Sequence, residues 1–141
     1  MPTKLITSSS INEVLVSGYG TGLTNNQKLS RAWVLKPTVY STETVAAGNG
    51  SGNATELSTT TTVSLVTTAT NQSHVSLADG VEGQLKIIIH KTRGGSNDLV
   101  ITPANLRGYS TITLNAQGET VTCLFKNSNW NVIAGNGYVL A

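Results

Sequence analysis

The sequence predicts an all-β fold, an antiparallel β-sandwich or barrel with an extended N-terminal arm. Three observations predict it. From residue 62 onward, short segments rich in Val, Ile and Thr follow one another, with turn residues roughly every ten positions. Several of these segments alternate apolar and polar residues, as a strand with two different faces does. In this half of the chain only "PANLRG" (103–108) hints at helix, and it is long enough for a single turn.

Residues 1–45 read as an arm or edge segment that packs onto something else. They hold two apolar runs, Ile11 to Val16 and Trp33 to Leu35, separated by "SGYGTGLTNNQK". Trp33 lies between Arg31 and Lys36, and Pro37 stops any helix there. An ordinary N-terminal strand of the same core fits these residues too. Residues 46–62, "AAGNGSGNATELSTTTT", have almost no apolar content and are expected to form a flexible loop or linker.

Residues 63–141 are expected to form the β-rich domain. "TVSLVTT" and "HVSLADG" open it, the second closing on Asp79-Gly80, a favoured turn pair. "QLKIIIHK" sets Leu85, Ile87 and Ile89 on one face and Lys86, Ile88 and His90 on the other. Its β-branched residues suit a pleated surface. "RGGSND" is the next turn, and "LVIT" stops at Pro103. "STITLNAQGE" is a strand and a turn around Gly118. "TVTCLFKNSNWNVIAGNG" (120–137) reads as a hairpin through Asn127-Ser128-Asn129, since Asn tolerates left-handed conformations. Val121, Cys123 and Phe125 share one face of it, and Trp130 and Val132 return across the same face. These five are the expected core. No internal repeat of fixed period is visible.

Composition narrows the function. Charged residues make up 11% of the chain against roughly 25% in an average soluble domain, and neutral Thr, Ser, Asn and Gly take their place. Such a surface gains little from ion pairs and suits a packed assembly or an extracellular setting. Net charge is +2, and the nine basic residues are scattered, without the clustered stripe that nucleic acid requires. No segment approaches the roughly 20 apolar residues of a membrane span. Met-Pro-Thr-Lys-Leu-Ile leads into Thr-Ser-Ser-Ser rather than the apolar stretch of a signal peptide. The sequons at Asn53 and Asn71 read as chance in so Asn-, Ser- and Thr-rich a chain. One cysteine, Cys123, allows no internal disulfide and reads as a buried, inert thiol.

Chemistry is not advertised. The acids Glu13, Glu43, Glu56, Asp79, Glu82, Asp98 and Glu119 fall mostly in turns or loops. Asp79 and Glu82 are close, but "ADGVEG" reads as a Gly-flanked turn, and it fails as a calcium loop for lack of oxygen ligands at fixed spacing. His74, His90 and Cys123 lack the close pairs of a structural zinc site. "GYGTG" (18–22) has neither a Walker lysine nor dinucleotide spacing. The expectation is a protein that is not an enzyme and needs no metal or cofactor.

Three stretches, "LADGVEGQLKIII", "DLVITPANLRGYSTITLNAQGETVTCLF" and "WNVIAGNG", together resemble a module of the structural proteins of tailed bacteriophages, marine and cyanobacterial ones especially. The resemblance runs from about Leu77 to the C-terminus, a little under half of the chain, and leaves the first 60 residues unmatched. It implies a virion protein built as a homotrimer of β-rich subunits, and it brings no catalytic or metal residues. The corresponding expectation is a capsid decoration (cement) protein on the head surface. Residues 1–45 would contact the major capsid protein, with Ile11, Leu15, Trp33 and Leu35 as anchors. The alternative is a head-fibre, tail-fibre or spike module that recognises a host surface glycan, with Tyr19, Tyr40, Tyr109 or Tyr138 stacking on sugars.

Overall fold

Along the central strands alternate residues are buried, and the buried sets of two sheets meet in one core. The computed structural model describes residues 40–141. The expected anchors Ile11, Leu15, Trp33 and Leu35 lie outside the described residues. In chain order the strands are β1 (Thr42–Ala46), β2 (Thr55–Leu57), β3 (Val63–Thr68), β4 (His74–Leu77), β5 (Leu85–Arg93), β6 (Leu99–Pro103), β7 (Ile112–Leu114), β8 (Thr120–Lys126), β9 (Asn129–Asn136) and β10 (Tyr138–Leu140). The first sheet has the order β1-β3-β5-β8-β9 and the second β10-β7-β6-β4-β2.

The described residues are thus all-β, as the sequence predicts. The sheets, however, are mixed rather than antiparallel, and they do not close into a barrel. From β1 to β6 the chain crosses from one sheet to the other after every strand. Neighbours within a sheet therefore run parallel: β1 with β3, β3 with β5, β2 with β4 and β4 with β6. Parallel neighbours need a crossover, commonly a helix; here the opposite sheet serves as the crossover. The result is three turns of a flattened two-sheet coil. Its turns are unequal. Thr42 pairs with Val63, 21 positions on, and Val63 with Ile87, 24 positions on, so no constant period shows in the sequence. β7 to β10 then add antiparallel pairs that finish both sheets.

Two sequence expectations are corrected. Residues 46–62 are not a linker: they close the first turn of the coil and include β2. Ala47 and Leu57 pack into the core, and these two apolar side chains suffice to fix a segment that is otherwise polar. The sheets accordingly begin at Thr42 rather than at residue 63. "PANLRG" is not helical either. Its Leu106 bridges to Trp130 in the direction of a parallel strand.

The hairpin β8–β9 turns through two residues, Asn127 and Ser128, with φ of 54° and 58°. Positive φ at both central positions is what a two-residue turn matching strand twist requires. Val121, Cys123 and Trp130 are fully buried, Phe125 nearly so, and Val132 packs against them. The Phe125 and Trp130 rings meet edge to face, 5.1 Å apart. The Trp130 indole N–H donates to Ala78 O at 2.9 Å. The same ring lies so close to Gly80 that a Cβ there would stand 2.9 Å from it, which explains a glycine at that turn.

Candidate interaction surfaces

The two sheets present very different outer faces. In β5 it is Lys86, Ile88 and His90 that point into the core, so Leu85, Ile87 and Ile89 point outward. Register sets Val63 beside Ile87, Leu65 beside Ile89, and Leu124 beside Leu85. These six aliphatic side chains form one contiguous patch across β3, β5 and β8, rimmed by Thr67, Thr120 and Thr122. Leu85 is 36% exposed and the other five are half-buried, and no other described strand packs over them. The outer face of the second sheet carries Glu56, His74, Ser76, Thr102 and Thr113 among few apolar groups. Parallel strands almost always have both faces covered. The first sheet has its outer face open among the described residues.

The interior holds an ionic knot. Lys86 has a fully buried side chain, and its ammonium donates to Glu43 Oε1 at 3.1 Å, Ser58 O at 2.6 Å and Thr61 O at 2.9 Å. Burial pushes that ammonium below its ordinary 10.5, against the hydrogen bond and charge of Glu43. Glu43 also accepts from the Ser64 hydroxyl and from Ser58 N–H. Burial alone would raise its carboxyl. The hydrogen bonds from Ser64 and Lys86, with the Lys86 charge, outweigh that and hold it below 4.5. The knot ties β1, β3 and β5 to the loop that follows β2.

His90 is a further buried polar group. Its Nε2 lies 3.1 Å from the Thr68 hydroxyl, which itself reaches Asn97 O at 3.1 Å. Thr68 has one proton to give. Donated to Asn97 O, it leaves the hydroxyl to accept from Nε2–H, and Nδ1 stays as a bare acceptor without a partner. Burial disfavours the charged imidazole and lowers it below 6.5, against the backbone carbonyls of Leu114 and Ala116, which favour it. The unfolded chain then takes up a proton near pH 6.5 while the folded one does not, so stability falls as pH drops below 6.5. A second loss follows below pH 4.5, as Glu43 is protonated through its lowered folded-state value. Urea midpoints measured from pH 7.5 to 4 should show both losses. His90→Gln should flatten the first and leave the second.

The remaining candidates from the sequence are placed as follows. Asp79 accepts from Asn105 Nδ2 through both carboxylate oxygens, at 3.0 and 2.9 Å, and Glu82 pairs with Lys126 at 2.8 Å. Both acids serve the turns around β5 rather than meeting in a cleft. His74 bonds Ser73, whereas His90 and Cys123 lie in the core. Among the described residues no three His, Cys, Asp or Glu side chains converge to hold a metal ion. Burial pushes the Cys123 thiol up to about 12, so it stays protonated. Tyr40 and Tyr109 are exposed, Tyr138 packs against the core, and Tyr19 lies outside the described residues. Tyr109 lines a cleft of about 120 Å³ with Arg107, Asn131, Val132 and Leu140, at the end where β9 and β10 are the edge strands. A search of protein-family models finds none that matches this chain, and a search of curated proteins finds no match either.

Proposed function

We propose that this chain is a virion structural protein, a capsid decoration protein that works as a homotrimer, with the outer face of the first sheet as the contact between copies. The observation that carries the reading is the contiguous aliphatic patch of Val63, Leu65, Leu85, Ile87, Ile89 and Leu124. A second copy is the occupant that suits it. Around a three-fold axis the side chains nearest the axis meet their own kind, so a charge there would face two like charges, and an uncharged aliphatic patch avoids that repulsion. Covering it removes apolar area from water at roughly 25 cal/mol per Å². The resemblance to phage structural modules supports three copies and a place on the virion. Residues 1–45 would supply the contact with the major capsid protein. The role is mechanical: three linked copies bind neighbouring capsid subunits with shared avidity and need no cofactor or catalytic group.

Light scattering on the purified protein tests the assembly. The expected mass is close to three times 14.7 kDa. Ile87→Glu sets three like charges against one another and should give a folded monomer. A wild-type chain that is monomeric at micromolar concentration overturns the reading.

A further inference from the structure

The cleft at the β9–β10 end is built from a cation, a ring, an acceptor and an apolar floor. Val132 and Leu140 form the floor, half-buried against the core. Arg107 stands at the rim and takes part in none of the ion pairs among the described residues. Its backbone is fixed: Arg107 N–H donates to Trp130 O at 3.0 Å, and Trp130 N–H to Asn105 O at 2.8 Å. Tyr109 is half exposed. It follows that anchored segment and precedes another, since Ser110 and Thr111 N–H both donate to Ala141 O, at 2.7 and 3.0 Å. Asn131 gives its amide nitrogen to Leu124 O, Lys126 O and Asn129 O, at 3.2, 3.2 and 2.9 Å. That pins the side chain and leaves Oδ1 as an acceptor.

We propose that this cleft binds a carboxylate-bearing saccharide through one terminal ring of the uronic-acid type. A single guanidinium matches one carboxylate in a two-pronged pair, and no other described residue lining the cleft adds the second cation that a dianionic phosphate would favour. The Tyr109 ring and the aliphatic floor suit the C–H face of a pyranose. Asn131 Oδ1 accepts a hydrogen bond from a ring hydroxyl, which a simple fatty acid could not offer. About 120 Å³ is well below the roughly 300 Å³ of a pocket for a drug-sized ligand, so the cleft takes an end of a chain and not its length. The backbone of the Arg107 and Tyr109 segments and the Asn131 side chain are already held, so binding orders chiefly the two exposed side chains. The cleft belongs to a single chain, so this inference stands or falls independently of the trimer.

Saturation-transfer NMR with methyl β-D-glucuronide and the full chain tests it, with methyl β-D-glucoside and acetate as controls. The expected result is transfer to the ring protons of the glucuronide and none to the glucoside. Arg107→Gln should weaken binding roughly tenfold to a hundredfold, as the loss of a charge-assisted pair does. Tyr109→Ala should abolish transfer, and Arg107→Lys should recover part of the affinity. Both side chains are exposed, and unchanged circular dichroism checks that the variants fold. No transfer at millimolar glucuronide overturns the proposal. So does equal transfer to the glucoside, or displacement by acetate or an acidic peptide at equal concentration, which would make the cleft a carboxylate site without preference for a sugar.

Discussion

Replacing Lys86 with alanine should lower the stability of the fold by about 3–5 kcal/mol, the range found when one partner of a buried ion pair is removed. The deletion leaves Glu43 with a charge but no cation, and it strips Ser58 O and Thr61 O of their donor. It also opens a cavity, because the Lys86 side chain is fully buried. Methionine fills the space without the donor and should recover part of the loss. Lys86→Met combined with Glu43→Gln should be more stable than Lys86→Met alone, since no unpaired charge is left inside. Urea denaturation measures all three variants. A loss below about 1 kcal/mol for the alanine variant would mean that the ammonium finds water, as exposed pairs do, and that the knot contributes little.

Trp130→Ala should lower stability by a similar amount, about 3–5 kcal/mol for an aromatic ring lost from a core. The ring is the largest fully buried side chain among the described residues. It meets Phe125 edge to face and ties to Ala78 O in the loop between β4 and β5. Its loss therefore loosens the second sheet's departure point as well as the first sheet's hairpin. Trp130→Phe separates the two effects. It keeps most of the ring but leaves Ala78 O unpaired, so it should lower stability by about 1–3 kcal/mol. If both variants unfold at the wild-type urea midpoint, the ring does not organise this end of the core.

The hairpin around Asn127-Ser128 was legible because everything that specifies it is local: alternation on both sides and a turn residue tolerant of positive φ. The coil was not. "ADG" announces that the chain turns after Leu77, but no local signal says whether the next strand lies beside the last or across the sandwich. In this chain it lies across at each of the five connections from β1 to β6. β2 escaped notice because a single leucine, Leu57, carries it, and burial of one side chain leaves no period to read. Alternation in "QLKIIIHK" divides the strand into two faces without naming the inner one. Lys86 and His90 take the inner face because Glu43 and Thr68 wait there, 43 and 22 positions earlier in the chain. The aliphatic set is thereby turned outward, and the candidate contact surface becomes visible only in three dimensions. The cleft is equally non-local, since Arg107, Asn131 and Leu140 come from three separate segments.

The parallel coil also gives the molecule a unit of length. Each turn adds one strand to both sheets, and neighbouring strands stand about 4.8 Å apart. A turn of twenty-odd residues inserted between β6 and β7 would raise the height of the block by that step. The knot among β1, β3 and β5 would keep its neighbours, and the antiparallel strands would pair with the added rung. Turns of 21 and 24 positions already coexist here, so the rungs tolerate connectors of different size. A protein built this way can be lengthened by duplication of a rung, and variation in height among related chains would then come in whole rungs rather than in single residues.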